Sequence, residues 1–170
     1  MLTEMVKALY AYDRWANRRL FDAVLSLPAG ATEREIGPQF SFPTLKGMLA
    51  HVLGAEVIWL ARWKGSSPAA ILSAKDFPDL EALRSRWNRV EAELSAFVEG
   101  LSEADLNRGI RYTNIEGRSF SLPLWPLMQH VANHSTHHRS ELATMLTMLG
   151  VAPPPTDLVV YHLVESGQMS

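Results

Sequence analysis

The sequence predicts an all-α fold: an antiparallel four-helix bundle with a small hairpin or irregular segment before the last long helix. Four long segments repeat apolar residues at spacings of three and four. The connections between them are short or of medium length, and only one short stretch alternates as a strand does. A chain of 170 residues is ample for one hydrophobic core, and no internal repeat or long linker divides it. Residues 1–170 are therefore expected to form a single domain.

The first helix is expected over residues 2–27, where Leu2, Val6, Leu9, Tyr10, Trp15, Leu20, Val24 and Leu25 mark one side. Pro28 and Gly30 end that run, and residues 29–43 read as a loop. A second helix follows over 44–63, with Leu45, Met48, Leu49, Val52, Val57, Ile58 and Leu60 as its apolar positions. Thr44 suits its N-cap, and Lys64-Gly65 followed by Ser-Ser-Pro stops it. A third helix is expected over about 79–101, after Asp76-Phe77-Pro78. It sets Leu80, Leu83, Trp87, Val90, Leu94 and Phe97 against Glu81, Arg84, Arg86, Arg89, Glu91 and Glu93. Polar and apolar residues alternate over Arg111–Thr113 and Arg118–Ser121 around Asn114–Gly117, the pattern of a small hairpin. Pro123 and Pro126 fit the first turn of a fourth helix that runs to Leu149, with Gly150 as its C′ residue. The tail opens with Pro153-Pro154-Pro155 and closes on a short apolar stretch, without an assigned element.

Composition narrows the function. Hydrophobic residues make up 47%, charged residues 20%, and the net charge is −2, which leaves no electrostatic footprint for nucleic acid or an anionic membrane. Arg14, Arg18 and Arg19 cluster on the first helix, but nearby acids offset them and no phosphate-tracking stripe results. No apolar run approaches the roughly 20 residues that span a bilayer. The N-terminal MLTEMVKALYAYDRW lacks a secretory apolar region, so a cytoplasmic location is expected. There is no cysteine. Any metal must then be held by nitrogen and oxygen, and a thiol nucleophile must come from outside the chain.

The segment HVANHSTHHR, residues 130–139, packs four of the six histidines into nine positions of a helix. At about 100° per residue, His130, His134 and His138 climb one side, and two imidazoles at i and i+4 can aim at one point. Both His130 with His134 and His134 with His138 satisfy that spacing. His137 lies about 60° from His134 on the side away from His138, which separates it from such a pair. The second helix carries one histidine, His51, between Met48, Leu49 and Val52 on the apolar stripe. An inward His51 facing an inward pair is a candidate three-nitrogen site with coordination positions left open. Gly54 and Ala55, one turn on, leave room for another group to approach. The run from His134 to His138 has no Glu after its first histidine, so the zinc-protease motif is absent.

These residues carry a resemblance. YDRWANRRLFDAVLSLP at 12–28, LKGMLAHVLGAEVIWL at 45–60 and HVANHSTHHRSELATMLTMLG at 130–150 resemble the DinB-like (damage-inducible) family. Its relatives include the YfiT-like bacillithiol transferases and the mycothiol-dependent maleylpyruvate isomerases. The likeness covers most of the chain in outline, and the last segment is its specific part. The resemblance implies a four-helix bundle that binds a divalent metal, nickel or zinc, through His51, His134 and His138. It also implies a homodimer, and a low-molecular-weight thiol held at the metal as cosubstrate to react with an electrophile. The leading expectation is thus a metal-dependent thiol S-transferase. A metal-dependent hydrolase, or a stress-induced metal-binding protein without turnover, are the alternatives.

Other polar residues have roles that spacing leaves open. Arg139 could orient an anionic substrate group, but reads more readily as a partly exposed or interface residue, and Asn133 flanks it. Glu141 could hold His138, but reads more readily as a surface carboxylate. Asp13 and Asn17, one turn apart, could line a pocket mouth or serve as capping or solvent contacts. His162 is expected to lie apart from the site. Trp15, Trp59, Trp63, Trp87 and Trp125 are expected in core or interface positions, with Trp59 and Trp63 as possible pocket walls.

Overall fold

A computed structural model describes residues 1–28 and 30–169; Ala29, within the expected loop, and Ser170 lie outside them. The four long helices are α1 (Leu2–Leu25), α2 (Leu45–Trp63), α3 (Leu80–Glu99) and α5 (Leu124–Met148). Between α3 and α5 come a short helix α4 (Glu103–Asn107) and a hairpin of β1 (Gly109–Thr113) and β2 (Ser119–Pro123). The tail ends in α6 (Leu158–Glu165). Boundaries follow local chemistry. The Thr44 hydroxyl accepts from Gly47 N–H at 3.0 Å at the start of α2, and Asp79 accepts from Ala82 N–H at 2.7 Å at the start of α3. Gly150, at φ 79°, takes the left-handed conformation that ends α5. The hairpin pairs Ile110 with Leu122 and Tyr112 with Phe120 in antiparallel register.

Two α-helices were not anticipated. Ser102 and Asp105 form a reciprocal capping box that starts α4, a helix too short to show an apolar period. The apolar tail becomes α6, whose Tyr161 packs on Tyr12 and Trp15 of α1.

The bundle places α1 and α2 on opposite corners, each packed against both α3 and α5. Side-chain pairs give the directions. Lys7 meets Glu99 and Arg18 meets Glu91, so α1 and α3 are antiparallel. His51 meets His138 while Trp59 meets His130, so α2 and α5 are antiparallel too. Tyr10 donates to Met128 O and Asp13 pairs with Arg139, which makes α1 and α5 parallel. Lys46 reaches Pro78 O and Trp63 stacks on Phe97, which makes α2 and α3 parallel. Each helix therefore has one antiparallel and one parallel partner.

A parallel α2/α3 pair requires the 64–79 connection to run back along α2, a helix roughly 28 Å long. That return explains Gly54. A Cβ there would lie 2.8 Å from Leu72 O and 2.9 Å from an Ile71 side-chain carbon. The small residue admits the returning backbone, not a substrate.

The core falls into two apolar clusters. One joins Phe21, Met48, Leu49, Trp87 and Met145, and the other joins Val6, Trp63, Val98, Leu106 and Leu127. Between their levels lies a buried polar layer of Asp13, Asn17, Glu56, Glu91 and Arg139. On α5, His138 adjoins Arg139 of this layer and His134 lies one turn before it.

Gly54→Ala tests the close approach. Alanine would gain about 1 kcal/mol of helix propensity, while a Cβ against backbone costs about 1–3 kcal/mol. Because the obstructing atom is a carbonyl, the clash should dominate and lower Tm by a few degrees in a thermal melt. An unchanged or higher Tm would mean that the connection yields freely.

Candidate metal centre

Three imidazoles from two antiparallel helices meet at one point. His134 Nε2 lies 3.0 Å from His51 Nε2 and 3.1 Å from His138 Nε2. Among the described residues these three form a group able to hold a metal ion. His138 is buried, while His51 and His134 are half-buried. Of the two histidine pairs that spacing allowed, the upper one faces His51. His130 turns its ring toward Trp59, with centroids 5.3 Å apart, and does not join the convergence. His137 is exposed, with Nε2 4.0 Å from Glu141. It forms a second possible group with His138 and Glu141. That group is already spoken for, because His138 Nδ1 and Glu141 Oε2 bond to each other.

The second atom of each ring matters as much as the first. Glu141 Oε2 lies 2.7 Å from His138 Nδ1, and Glu141 Oε1 accepts the Ser41 N–H at 2.8 Å. Burial raises the Glu141 pKa, but the bonds from Ser41 and His138 outweigh it and the net shift is downward. Glu141 is thus a carboxylate, able only to accept, so His138 must carry its proton on Nδ1. In the neutral ring, Nε2 is then a free lone pair aimed at the other two histidines. Phe42 stacks on His51 at 4.4 Å and closes the side toward the 26–44 connection. Burial, reinforced by the neighbouring imidazoles, lowers the His51 pKa to about 4 and that of His134 to about 3. Both rings are therefore neutral at physiological pH, the state in which imidazole binds metals.

Residues 1–168 match the sequence model of the DinB family. The chain belongs to the DinB family. It is 25% identical to Protein DinB of Bacillus subtilis (strain 168) over 167 residues, covering 94% of this chain and 95% of that one. Its fold matches YfiT from Bacillus subtilis with a TM-score of 0.65 at 13% identity, covering 88% of this chain and 90% of YfiT. YfiT is described as "a probable metal-dependent hydrolase with an unusual four-helix bundle topology". A DinB-like protein from Bacillus cereus ATCC 10987 matches with a TM-score of 0.60 at 18% identity, covering 84% and 91% of the two chains.

Within this DinB-family chain, several polar residues lie elsewhere than their spacing suggested. Arg139 is buried, not partly exposed. Its guanidinium pairs with Asp13 and donates to Asn17 Oδ1 at 2.8 Å and to Thr136 Oγ1 at 2.7 Å. Asp13 and Asn17 are likewise buried; they clamp α1 to the histidine helix and line a cavity with Glu56 and Glu91 whose lining includes none of the histidines. Glu141 is not a free surface carboxylate but the partner of His138. Asn133 is exposed, and His162 sits on α6 against Tyr161, away from the histidines. Trp59 and Trp63 split: Trp63 is core against Tyr10 and Phe97, whereas half-buried Trp59 borders His130. Trp125 is partly exposed.

Sequence reasoning missed Glu56. It is buried and accepts from Asn17 Nδ2 at 3.2 Å, and among the described residues it has no ion-pair partner. Burial raises its pKa well above the usual carboxylate range, with Asp13 and Glu91 adding repulsion. Asp13 is raised too: burial outweighs Arg139. The folded state therefore holds protons that the unfolded chain releases above about pH 4. Stability contributed by these groups is greatest at acid pH and declines as pH rises toward their folded pKa values. The isosteric Glu56→Gln should raise Tm by several degrees at pH ~8 and by less at pH ~5. An equal effect at both pH values would show that Glu56 folds as a carboxylate.

Proposed function

We propose that His51, His134 and His138 hold a divalent metal ion, nickel or zinc, and that the protein is a metal-dependent transferase of an external low-molecular-weight thiol. The observation that carries this reading is the convergence of three Nε2 atoms from two helices. At 3.0 and 3.1 Å from the other two Nε2 atoms, a neutral His134 ring can donate its single N–H to only one of them, whereas a cation between the rings engages all three nitrogens at once. Burial opposes a proton in that role. Nitrogens bound about 2.05 Å from one tetrahedral zinc would stand roughly 3.3 Å apart, close to the separations found. Imidazole donors suit nickel and zinc alike.

When bound, such an ion lowers the pKa of a thiol or water in an open position, so that a nucleophile forms at neutral pH. The rest is the protein's work. Glu141 fixes the His138 ring and its tautomer, Phe42 shields His51, and Arg139 anchors α5 to α1 behind the site. Among the described residues, Glu141 is the carboxylate next to the three rings, and Ser41 and His138 already engage it. It is not free to take a proton from water. A thiol, with a pKa near 8.5, needs far less help than water to ionise. That difference, and the thiol-using relatives that the resemblance implies, favour transfer over hydrolysis. The description of YfiT favours the hydrolase as the second reading. The homodimer implied by the resemblance is also a proposal, testable by molar mass in solution.

Elemental analysis of untagged protein should find about one divalent ion per chain, lost in His134→Ala and His138→Ala. Glu141→Gln should keep the fold and weaken metal binding about 10–100-fold. A low-molecular-weight thiol added to the nickel form should produce a thiolate-to-metal absorption band. Ester or amide cleavage without thiol, and no such band, would give the hydrolase precedence. Full metal occupancy in the histidine variants would remove the assignment altogether.

A further inference from the structure

One cation lies buried without an anion. Arg62, in the last turn of α2, is 6% exposed. Among the described residues its side chain makes no hydrogen bond or ion pair, and its Nε is buried without a partner. Its guanidinium lies instead over two rings, 4.6 Å from the Trp59 centroid and 5.2 Å from that of Tyr112 on β1. Burial lowers its pKa, and Tyr112 is the group that opposes this; no carboxylate contributes. A guanidinium stays charged even so. Buried polar groups are nearly always paired, and an unpaired cation is among the costlier exceptions. Cation–π contact offsets part of that cost but leaves Nε–H without an acceptor and the two terminal nitrogens without a protein partner.

The position of Arg62 indicates what is missing. Trp59 edges against His130, and His130 stands next to His134, with ring centroids 6.2 Å apart. On the far side Tyr112 stacks on Phe120 at 5.7 Å. Trp59 and Tyr112 are half-buried while His130 and Phe120 are exposed, so the rings around the guanidinium border the surface. A continuous aromatic track therefore links the three histidines to Arg62. A helical side chain leans toward the N-terminus, which brings this guanidinium back to the level of Trp59. Trp59 is eight residues from His51, or about 12 Å along the axis.

We propose that Arg62 is an anion-binding subsite of the histidine centre, and that the small molecule taken there carries a carboxylate about 12 Å from its reacting end. The planar fork of the guanidinium matches a carboxylate, and the Trp59 and Tyr112 rings hold it in place. The carboxylate supplies the missing acceptors, and the rings cover the spacer between it and the thiol. This rests on the thiol reading above and extends it to the thiol's own chemistry.

The test uses the full chain, metal-free and nickel-loaded. On metal-free protein, calorimetry compares octanoate with octanol. Octanoate should bind at least about tenfold tighter, and Arg62→Met should abolish the preference while Arg62→Lys restores part of it. Removing an unpaired buried charge should leave Tm unchanged or raise it. On nickel-loaded protein, mercaptooctanoate should bind about tenfold tighter than mercaptooctanol by the thiolate band. Mercaptopropionate, too short to reach Arg62, should show no such advantage. Equal binding of acid and alcohol, or a carboxylate preference that survives Arg62→Met, would overturn the subsite. So would a Tm several degrees lower in Arg62→Met, restored by lysine without any effect on octanoate. A preference in metal-free protein with no thiol band would leave the subsite and overturn the thiol reading. A thiol band without carboxylate preference would do the reverse.

Discussion

The buried contact between Arg139 and the Asp13–Asn17 pair is the constraint on which the architecture of the site depends. It joins α1 to α5 through the centre of the bundle, at the level where the two apolar clusters part. Arg139 follows His138 directly, so whatever fixes the guanidinium fixes the rotation of α5 about its axis. A rotation of one residue would carry His134 and His138 away from His51. An apolar layer at this height would tolerate such sliding, whereas a guanidinium bonded to a carboxylate, an amide and a hydroxyl does not. Breaking such a buried pair from one side typically costs about 3–5 kcal/mol, so the layer specifies one alignment more than it adds net stability.

The rest of the site follows from that alignment. With α5 fixed in rotation and α2 antiparallel to it, three imidazoles share one small volume, where burial disfavours protonation of His51 and His134. Glu141 reaches back one turn to His138 and outward to Ser41, so a single carboxylate sets a tautomer and secures the connection that carries Phe42. The hairpin brings Tyr112 to α2, and the 64–79 connection can pass because Gly54 has no side chain. Elements that look like additions to a bundle thus pack on the helix that carries His51.

Much of this was legible in the sequence where burial and polarity agree. The four long helices declared themselves by apolar period, the hairpin by alternation, and Thr44 and Gly150 by end chemistry. His51 stood out as an imidazole on an apolar stripe. The polar layer was illegible for the opposite reason. Asp13, Asn17, Glu56 and Arg139 interrupt the stripes of their helices, and an interrupted stripe reads as a solvent-facing side unless the partner is known. Those partners lie on other helices, 122 residues apart for Asn17 and Arg139. Glu141 beside His138 had the right spacing for its role, but that spacing is equally common on exposed helix faces. Arg62 gave no signal, since a cation in the last turn of a helix is ordinary dipole chemistry. Helix directions were hidden as well, because connection length alone does not say whether a chain returns beside its own helix or crosses the bundle.

The most direct measurement is an anomalous-difference map from crystals of the full chain loaded with nickel or zinc, recorded at the metal edge. The account predicts one peak within about 2.0–2.2 Å of the Nε2 atoms of His51, His134 and His138, with His138 Nδ1 still bonded to Glu141. A peak between His137 and Glu141, or one that contacts fewer than all three of these nitrogens, would contradict it.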